Sequence, residues 1–178
     1  MRIDIVLTIT GPDRVGIVED VTAVLLELDG NVEASRMARL GGEFAIISLV
    51  SLPEIDVVAL ESAFAPLKEE GYRVTSGPAA RGAAAEHDGW SAFRIEVEGA
   101  DHEGIVHDVA AGLARRGITI ESAETATSAA AVSGLPLFSM RALVLVPPAT
   151  PDADWRADLT EAASRSNVDI TVTPVGGE

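Results

Sequence analysis

The residues best suited to chemistry in this sequence lie in Thr10-Gly11-Pro12-Asp13-Arg14-Val15-Gly16-Ile17-Val18-Glu19-Asp20-Val21, with Asn31 a little further on. Gly16 allows backbone to come close to a ligand, and the free N–H groups of a helix that starts there, with the helix dipole, favour a carboxylate. Asp13 can accept hydrogen bonds from an ammonium group, and Asn31 offers both a donor and an acceptor. Together these groups suit a small zwitterion. The same residues also have a purely structural reading, in which Asp13 caps the helix, Gly16 permits tight helix–sheet packing and Asn31 satisfies a turn.

Other chemistry has less to stand on. His102 and His107 are five apart, a poor spacing for two ligands on one helical face, and the nearby Asp101, Glu103 and Asp108 are ordinary in so acidic a chain. A solvated surface is expected there, and no metal. His87 has no visible partner, and Met37 and Phe44 fall on strand positions expected to be core. The glycines do not form G-x-G-x-x-G or end in G-K-[ST], so neither a dinucleotide nor a P-loop fingerprint is present and no cofactor is expected. Serines occur without the local context of a nucleophile. Cysteine is absent, which excludes disulfides and thiolate chemistry.

The elements that must position the loop emerge from an internal repeat. An offset of 88 residues lays Gly11, Asp13, Gly16, Ile17, Val18, Asp20, Val21, Ala23 and Leu25 on Gly99, Asp101, Gly104, Ile105, Val106, Asp108, Val109, Ala111 and Leu113. It also sets the alternating Ile5, Leu7 and Ile9 opposite Phe93, Ile95 and Val97, the period-2 face of a half-buried strand. Two copies at so long a period indicate a duplicated domain; a solenoid would repeat sooner and more often. The first copy, residues 1–76, reads as strand Arg2–Thr10 and a helix with Ile17, Val21, Val24, Leu25 and Leu28 on one stripe, ended by Gly30. Strands Asn31–Leu40 and Glu43–Ser51 follow, joined by Gly41-Gly42. A helix from about Glu54, kinked or cut short by Pro66, and a strand Tyr72–Thr75 complete the copy. Residues 77–89 read as a linker. Residues 90–178 repeat the order: strand Ala92–Glu98, helix Gly104–Arg116, strands Thr119–Thr127 and Leu137–Val146, helix Asp152–Ser166 and strand Val168–Thr173. Their hairpin, Ser128 to Pro136, is longer than the first and is expected to be mobile. The βαββαβ order predicts α+β architecture: two ferredoxin-like modules, each an antiparallel sheet with both helices on one face.

Composition narrows the partners. The 178 residues are 47% hydrophobic and 23% charged, as in globular proteins, with a formal charge of −15. The excess is even: residues 1–76 carry 13 acids against 6 bases, and residues 77–178 carry 15 against 7. No half offers the clustered Lys and Arg that nucleic acid requires, so direct DNA binding is not expected. No run of about 18 apolar residues occurs and no signal-peptide pattern opens the chain, so no membrane association and a cytoplasmic location are expected.

The loop Thr10–Val21, with its continuation through Asn31-Val32 to Arg36-Met37-Ala38-Arg39-Leu40-Gly41-Gly42-Glu43-Phe44, resembles an ACT domain. The pair of copies resembles the glycine cleavage system transcriptional repressor family. For the second copy the resemblance rests on Asp101-His102-Glu103-Gly104-Ile105-Val106 and on the duplication. It implies modules that pair through sheets and helices and bind an amino acid such as glycine at the first strand-to-helix loop. The residue opening the second strand of a neighbouring module would contribute to that site. Carried onto this chain, the implied ligand-binding residues are Asp13, Arg14, Val15, Gly16, Ile17 and Asn31, then Asp101, His102, Glu103, Gly104 and Ile105. Thr119 stands where the first copy has Asn31, a departure that puts the second site in doubt. The implied function is non-enzymatic regulation: ligand binding modulates a protein partner, a transcription activator in that family, and the protein could form a homo-oligomer. Two alternatives stand beside this. One is an interaction scaffold that keeps the ACT fold without a ligand; the other is an acylphosphatase-like enzyme using Arg14 and Asn31, although the loop lacks that family's Gly-x-Val-Gln-Gly pattern.

Overall fold

The structure is a computed structural model that describes residues 1–54, 57–80, 85–129 and 134–176. The chain divides into two compact units, Met1–Arg81 and Gly82–Glu178. In the first, β1 (Arg2–Pro12), α1 (Ile17–Glu27), β2 (Asn31–Leu40), β3 (Glu43–Pro53), α2 (Val57–Ala63), α3 (Ala65–Glu69) and β4 (Arg73–Pro78) follow in order. The second contains a 3-10 turn (Ala85–His87), then β5 (Ser91–Ala100), α4 (Ile105–Ala114), β6 (Thr119–Ala129), β7 (Pro136–Val146), α5 (Asp152–Ser166) and β8 (Val168–Pro174). Each unit builds one antiparallel four-stranded sheet, ordered β2-β3-β1-β4 and β6-β7-β5-β8. These are two ferredoxin-like α+β modules.

Alternation explains the layers. Ile5, Leu7 and Ile9 of β1 and Phe44, Ile46, Val50 and Leu52 of β3 share one face, where they pack with Ile17, Val21 and Leu25 of α1, with Leu60 of α2 and Leu67 of α3, and with Phe64 between those two helices. The second core repeats this with Ile95, Val97, Ile105, Val109, Leu113, Trp155 and Leu159. Pro66 interrupts its helix as the sequence predicts: α2 stops at Ala63, and the proline enters the first turn of α3, where its missing N–H costs nothing. Gly41 and Gly42 take φ of 62° and 87°, the left-handed values of a tight hairpin.

Three readings change. Met37 is exposed, not core, because β2 is an edge strand; Phe44, on the inner β3, is buried. The expected linker begins inside the first sheet, since Gly77 and Pro78 pair with Val6 and Ile5. Residues 81–84 of that linker, residues 55–56 near the expected helix start, and the long-hairpin tip at 130–133 lie outside the described residues. Gly30 follows α1, but the left-handed residue there is Asp29, with φ 52°. The Asp29 amide donates to the Leu26 carbonyl and the Gly30 amide to the Leu25 carbonyl, closing the helix with a Schellman-type pair. Gly30 is required for space: a Cβ there would meet the Leu25 carbonyl oxygen at 2.8 Å and a Leu52 methyl at 2.6 Å.

The second module places Gly117, φ 67°, at the repeat position of Asp29, with the same pair of bonds from Gly117 to Ala114 and from Ile118 to Leu113. Asp29→Gly should therefore stabilise the first module by about 0.5–1 kcal/mol, and Gly117→Asp should destabilise the second by a similar amount. Urea unfolding of both variants checks this, with opposite signs expected for the two changes.

Candidate functional site

The chain leaves the central strand β1 and must rise onto the helical face within four residues. It does so through Gly16 at φ 92°, and the second module repeats the turn through Gly104 at φ 96°. No neighbour crowds either glycine: a Cβ at Gly16 would meet only the flexible Arg14 guanidinium, at 3.7 Å, and one at Gly104 would meet nothing within 4 Å. Helix–sheet packing therefore does not explain Gly16; its backbone conformation does. A glycine also has no side chain to cap with, and neither α1 nor α4 receives a side-chain cap, which leaves the first-turn amides without a side-chain acceptor. Close packing belongs to Gly11 and Gly99, where an added Cβ would meet the Tyr72 ring at 2.5 Å and Val168 at 2.7 Å.

Asp13 does not cap α1. Its carboxylate pairs with the Arg39 Nε at 2.8 Å, and its amide donates to the Gly42 carbonyl at 2.9 Å, so the β2–β3 hairpin lies against the loop. The Arg14 guanidinium reaches Asp20 at 2.6 Å and Glu70, past the end of α3, at 2.7 Å, with the Tyr72 ring 5.8 Å away. Asp20 and then Glu70 hold its pKa above the ordinary arginine value. Val15 is fully exposed, whereas the Ile17 and Ile105 side chains are core, so only their backbone is open to a ligand.

In the second module Asp101 donates its amide to the Pro136 carbonyl and accepts from the Thr127 hydroxyl at 3.3 Å. His102 stands at the repeat position of Arg14 and likewise contacts the last helix of its module. Its Nε2 lies 2.6 Å from the Ser166 carbonyl and its Nδ1 2.8 Å from the Glu103 carbonyl. The Glu103 side chain is exposed. Ser166 donates to Asp108 at 2.7 Å and Arg165 donates to the same carboxylate at 3.1 Å, so α4 and α5 are joined beside the loop.

Asn31 is not brought to Asp13 within a module. Register sets Asn31 opposite Ser51 and Ser51 opposite Asp4, whereas the loop follows Pro12, which lies opposite Glu43. Eight residues of strand separate the two ends, roughly 25 Å at the usual rise. Thr119, opposite Leu145, which faces Ala92, is equally remote from the loop that follows Ala100. Asn31 donates to the Glu33 carboxylate at 2.7 Å. Glu33 is the extra residue of a β-bulge between Val32 and Ala34, and the second module has the matching bulge between Ile120 and Ser122.

Sequence reasoning missed Arg39, Glu70, Ser166 and the bulges. Arg39 had a signal, because a Gly41-Gly42 hairpin register pairs it with Phe44, itself opposite Gly11. Among the described residues, no group of three or more His, Asp or Glu could hold a metal ion, and no helix is long and apolar enough to cross a membrane.

Two tandem βαββαβ modules, each with an uncapped helix start after its central strand, define the class as a duplicated ferredoxin-like α+β fold. Residues 4–71 match the ACT domain family model. A solved protein of Galdieria sulphuraria, described only as unknown, is 35% identical with TM-score 0.86, over 99% of this chain and 100% of its own. The structure of a candidate glycine cleavage system transcriptional repressor superposes with TM-score 0.69 at 18% identity, over 99% of each chain, and so shares the fold. Among curated proteins none matches. Residues 4–71 thus belong to the ACT-domain family, and the chain as a whole has a tandem ACT-like fold.

Asp108 yields a pH prediction. The Ser166 hydroxyl, then Arg165, hold its carboxyl below the usual carboxylate value. Its contribution is therefore present above the unfolded pKa of about 3.8 and is lost as pH falls through the lower folded value. Both tryptophans, Trp90 and Trp155, lie in the second unit and report on it alone. Asp108→Asn should lower its stability at neutral pH and flatten the acid limb between about pH 5 and 2, read by tryptophan fluorescence during urea unfolding.

Proposed function

We propose that this protein is a non-enzymatic regulator that binds an amino acid such as glycine and modulates a protein partner, a transcription regulator of amino-acid metabolism. The observation that carries the reading is the uncapped helix start at Gly16 with the Asp13 carboxylate beside it: amides for a carboxylate, a carboxylate for an ammonium. The remoteness of Asn31 from this loop within its module supports a site completed by another ACT module, whose strand-opening residue would supply the amide. The likeness to a candidate repressor supports the regulatory role through fold only.

A scaffold without ligand is the second reading, and one observation favours it: the Asp13 carboxylate is engaged by Arg39, and the Arg14 guanidinium by Asp20 and Glu70. The same pairs count against acyl-phosphate hydrolysis, because Arg14 faces two carboxylates that would repel an incoming phosphate.

Calorimetry with a panel of amino acids separates the first two readings. Asp13→Ala and Asn31→Ala should each weaken binding by about 1.5–3 kcal/mol, roughly 10- to 150-fold, as expected for a lost charge-assisted hydrogen bond. Stability should fall by no more than about 1 kcal/mol, since the Asp13–Arg39 pair is a surface one. Thr119→Ala should matter less. No heat with any amino acid favours the scaffold.

Regulation through protein also predicts no salt-sensitive affinity for duplex DNA, given the charge of −15 and no basic half. A mobility-shift titration across 50–200 mM salt checks this, and a clean shift by the protein alone contradicts the reading.

A further inference from the structure

The two modules place different cations at one repeat position, and the difference has a chemical consequence. Arg14 ties the first loop to Glu70 at the end of α3 and is charged at every accessible pH. His102 ties the second loop to the last carbonyl of α5, and both of its ring nitrogens face carbonyl oxygens, of Ser166 at 2.6 Å and of Glu103 at 2.8 Å. A carbonyl oxygen only accepts. A neutral imidazole carries one N–H and can satisfy one of the two, leaving its other nitrogen lone pair against an oxygen lone pair; imidazolium satisfies both.

We propose that His102 is a proton-operated latch: imidazolium fastens the Asp101–Gly104 loop to the C-terminus of α5, and loss of the proton releases it, while the first module's loop, held by Arg14, does not respond.

The surroundings favour the charged ring. Asp101 lies next to it on the loop, Asp108 approaches from α4, and the Ser166 carbonyl belongs to the negative end of the α5 dipole. Arg165 of α5 faces Asp108 and Glu161, and His107 is beside Asp108, so some positive charge is present, but it is directed at carboxylates. The Ser166 carbonyl, then that of Glu103, then Asp101 and Asp108, raise the ring above the usual histidine value of 6.5. The raised value means that the latch's contribution is complete below about pH 6.5 and disappears as pH rises through the folded value. Any effect on a ligand at the second loop rests on the function proposed above; the latch itself does not.

The test uses the full chain without added ligand. Histidine ring resonances followed by NMR from pH 5 to 9 should give His102 a midpoint above 6.5. Amide exchange at residues 101–106, corrected for its intrinsic pH dependence, should lose protection severalfold across that midpoint, while residues 13–18 of the first loop stay unchanged. H102R should keep the second loop protected at every pH, and H102Q should leave it unprotected at every pH. A midpoint at or below 6.5, protection that does not change as the ring titrates, or an H102R loop that titrates like the native one would overturn the proposal. Should both variants fail to fold, the native titration decides alone.

Discussion

The turn that lifts the chain from the central strand onto the helical face is the constraint from which the rest of each module follows. β1 has neighbours on both sides, so the chain cannot leave sideways, and the only route is through a left-handed residue before the helix, Gly16 or Gly104. An L side chain at that φ is strained, which makes glycine the natural solution. Glycine in turn cannot cap the helix. The first-turn amides without a side-chain acceptor are thus a by-product of the turn, and both helix starts of this chain, after Gly16 and after Gly104, share that anion-seeking character. Function then depends on what surrounds the amides: carboxylates, cations and whatever a neighbouring module brings.

Local and periodic features were legible in the sequence. The 88-residue offset, the Ile5-Leu7-Ile9 alternation, the Gly41-Gly42 hairpin and the break at Pro66 each depend on a few adjacent residues, and the structure reproduces them. Features fixed by distant partners were not. Arg14 meets Glu70 and His102 meets Ser166 across more than fifty residues, and nothing in either segment alone announces the other. The bulges at Glu33 and Glu121 are visible only when two strands are paired, because each strand by itself looks regular. Gly77-Pro78 reads as linker by composition, yet it holds a place on an edge strand, where proline's missing donor is tolerated.

Duplication has let the two modules diverge on one scaffold. The unlayered face of the first sheet carries Val6, Thr8, Arg36 and Ile47 where the second carries Arg94, Glu96, Glu124 and Arg141, with Arg141 and Glu96 3.7 Å apart. The tie to the last helix is similarly preserved in position and changed in chemistry, guanidinium in one copy and imidazole in the other. Asn31 became or remained an amide while its counterpart is Thr119. In the core, Val21 and Val109 are identical, as are Leu25 and Leu113, while Ile5, Leu7 and Ile9 of β1 give way to Phe93, Ile95 and Val97, so apolar character is kept and side-chain shape is not.

The sheet itself keeps Asn31 apart from Asp13. If one module carried a complete pocket, the amide and the loop would have to approach, but the antiparallel register holds them at opposite ends of strands roughly 25 Å apart, and no side chain spans that distance. Sliding the strands to close the gap would turn the buried set Phe44, Ile46, Val50 and Leu52 toward solvent at every odd step and break the core at every even one. The fold itself therefore forbids a joint site within one module. A ligand held by the loop amides and Asp13 of one module is therefore out of reach of that module's own Asn31.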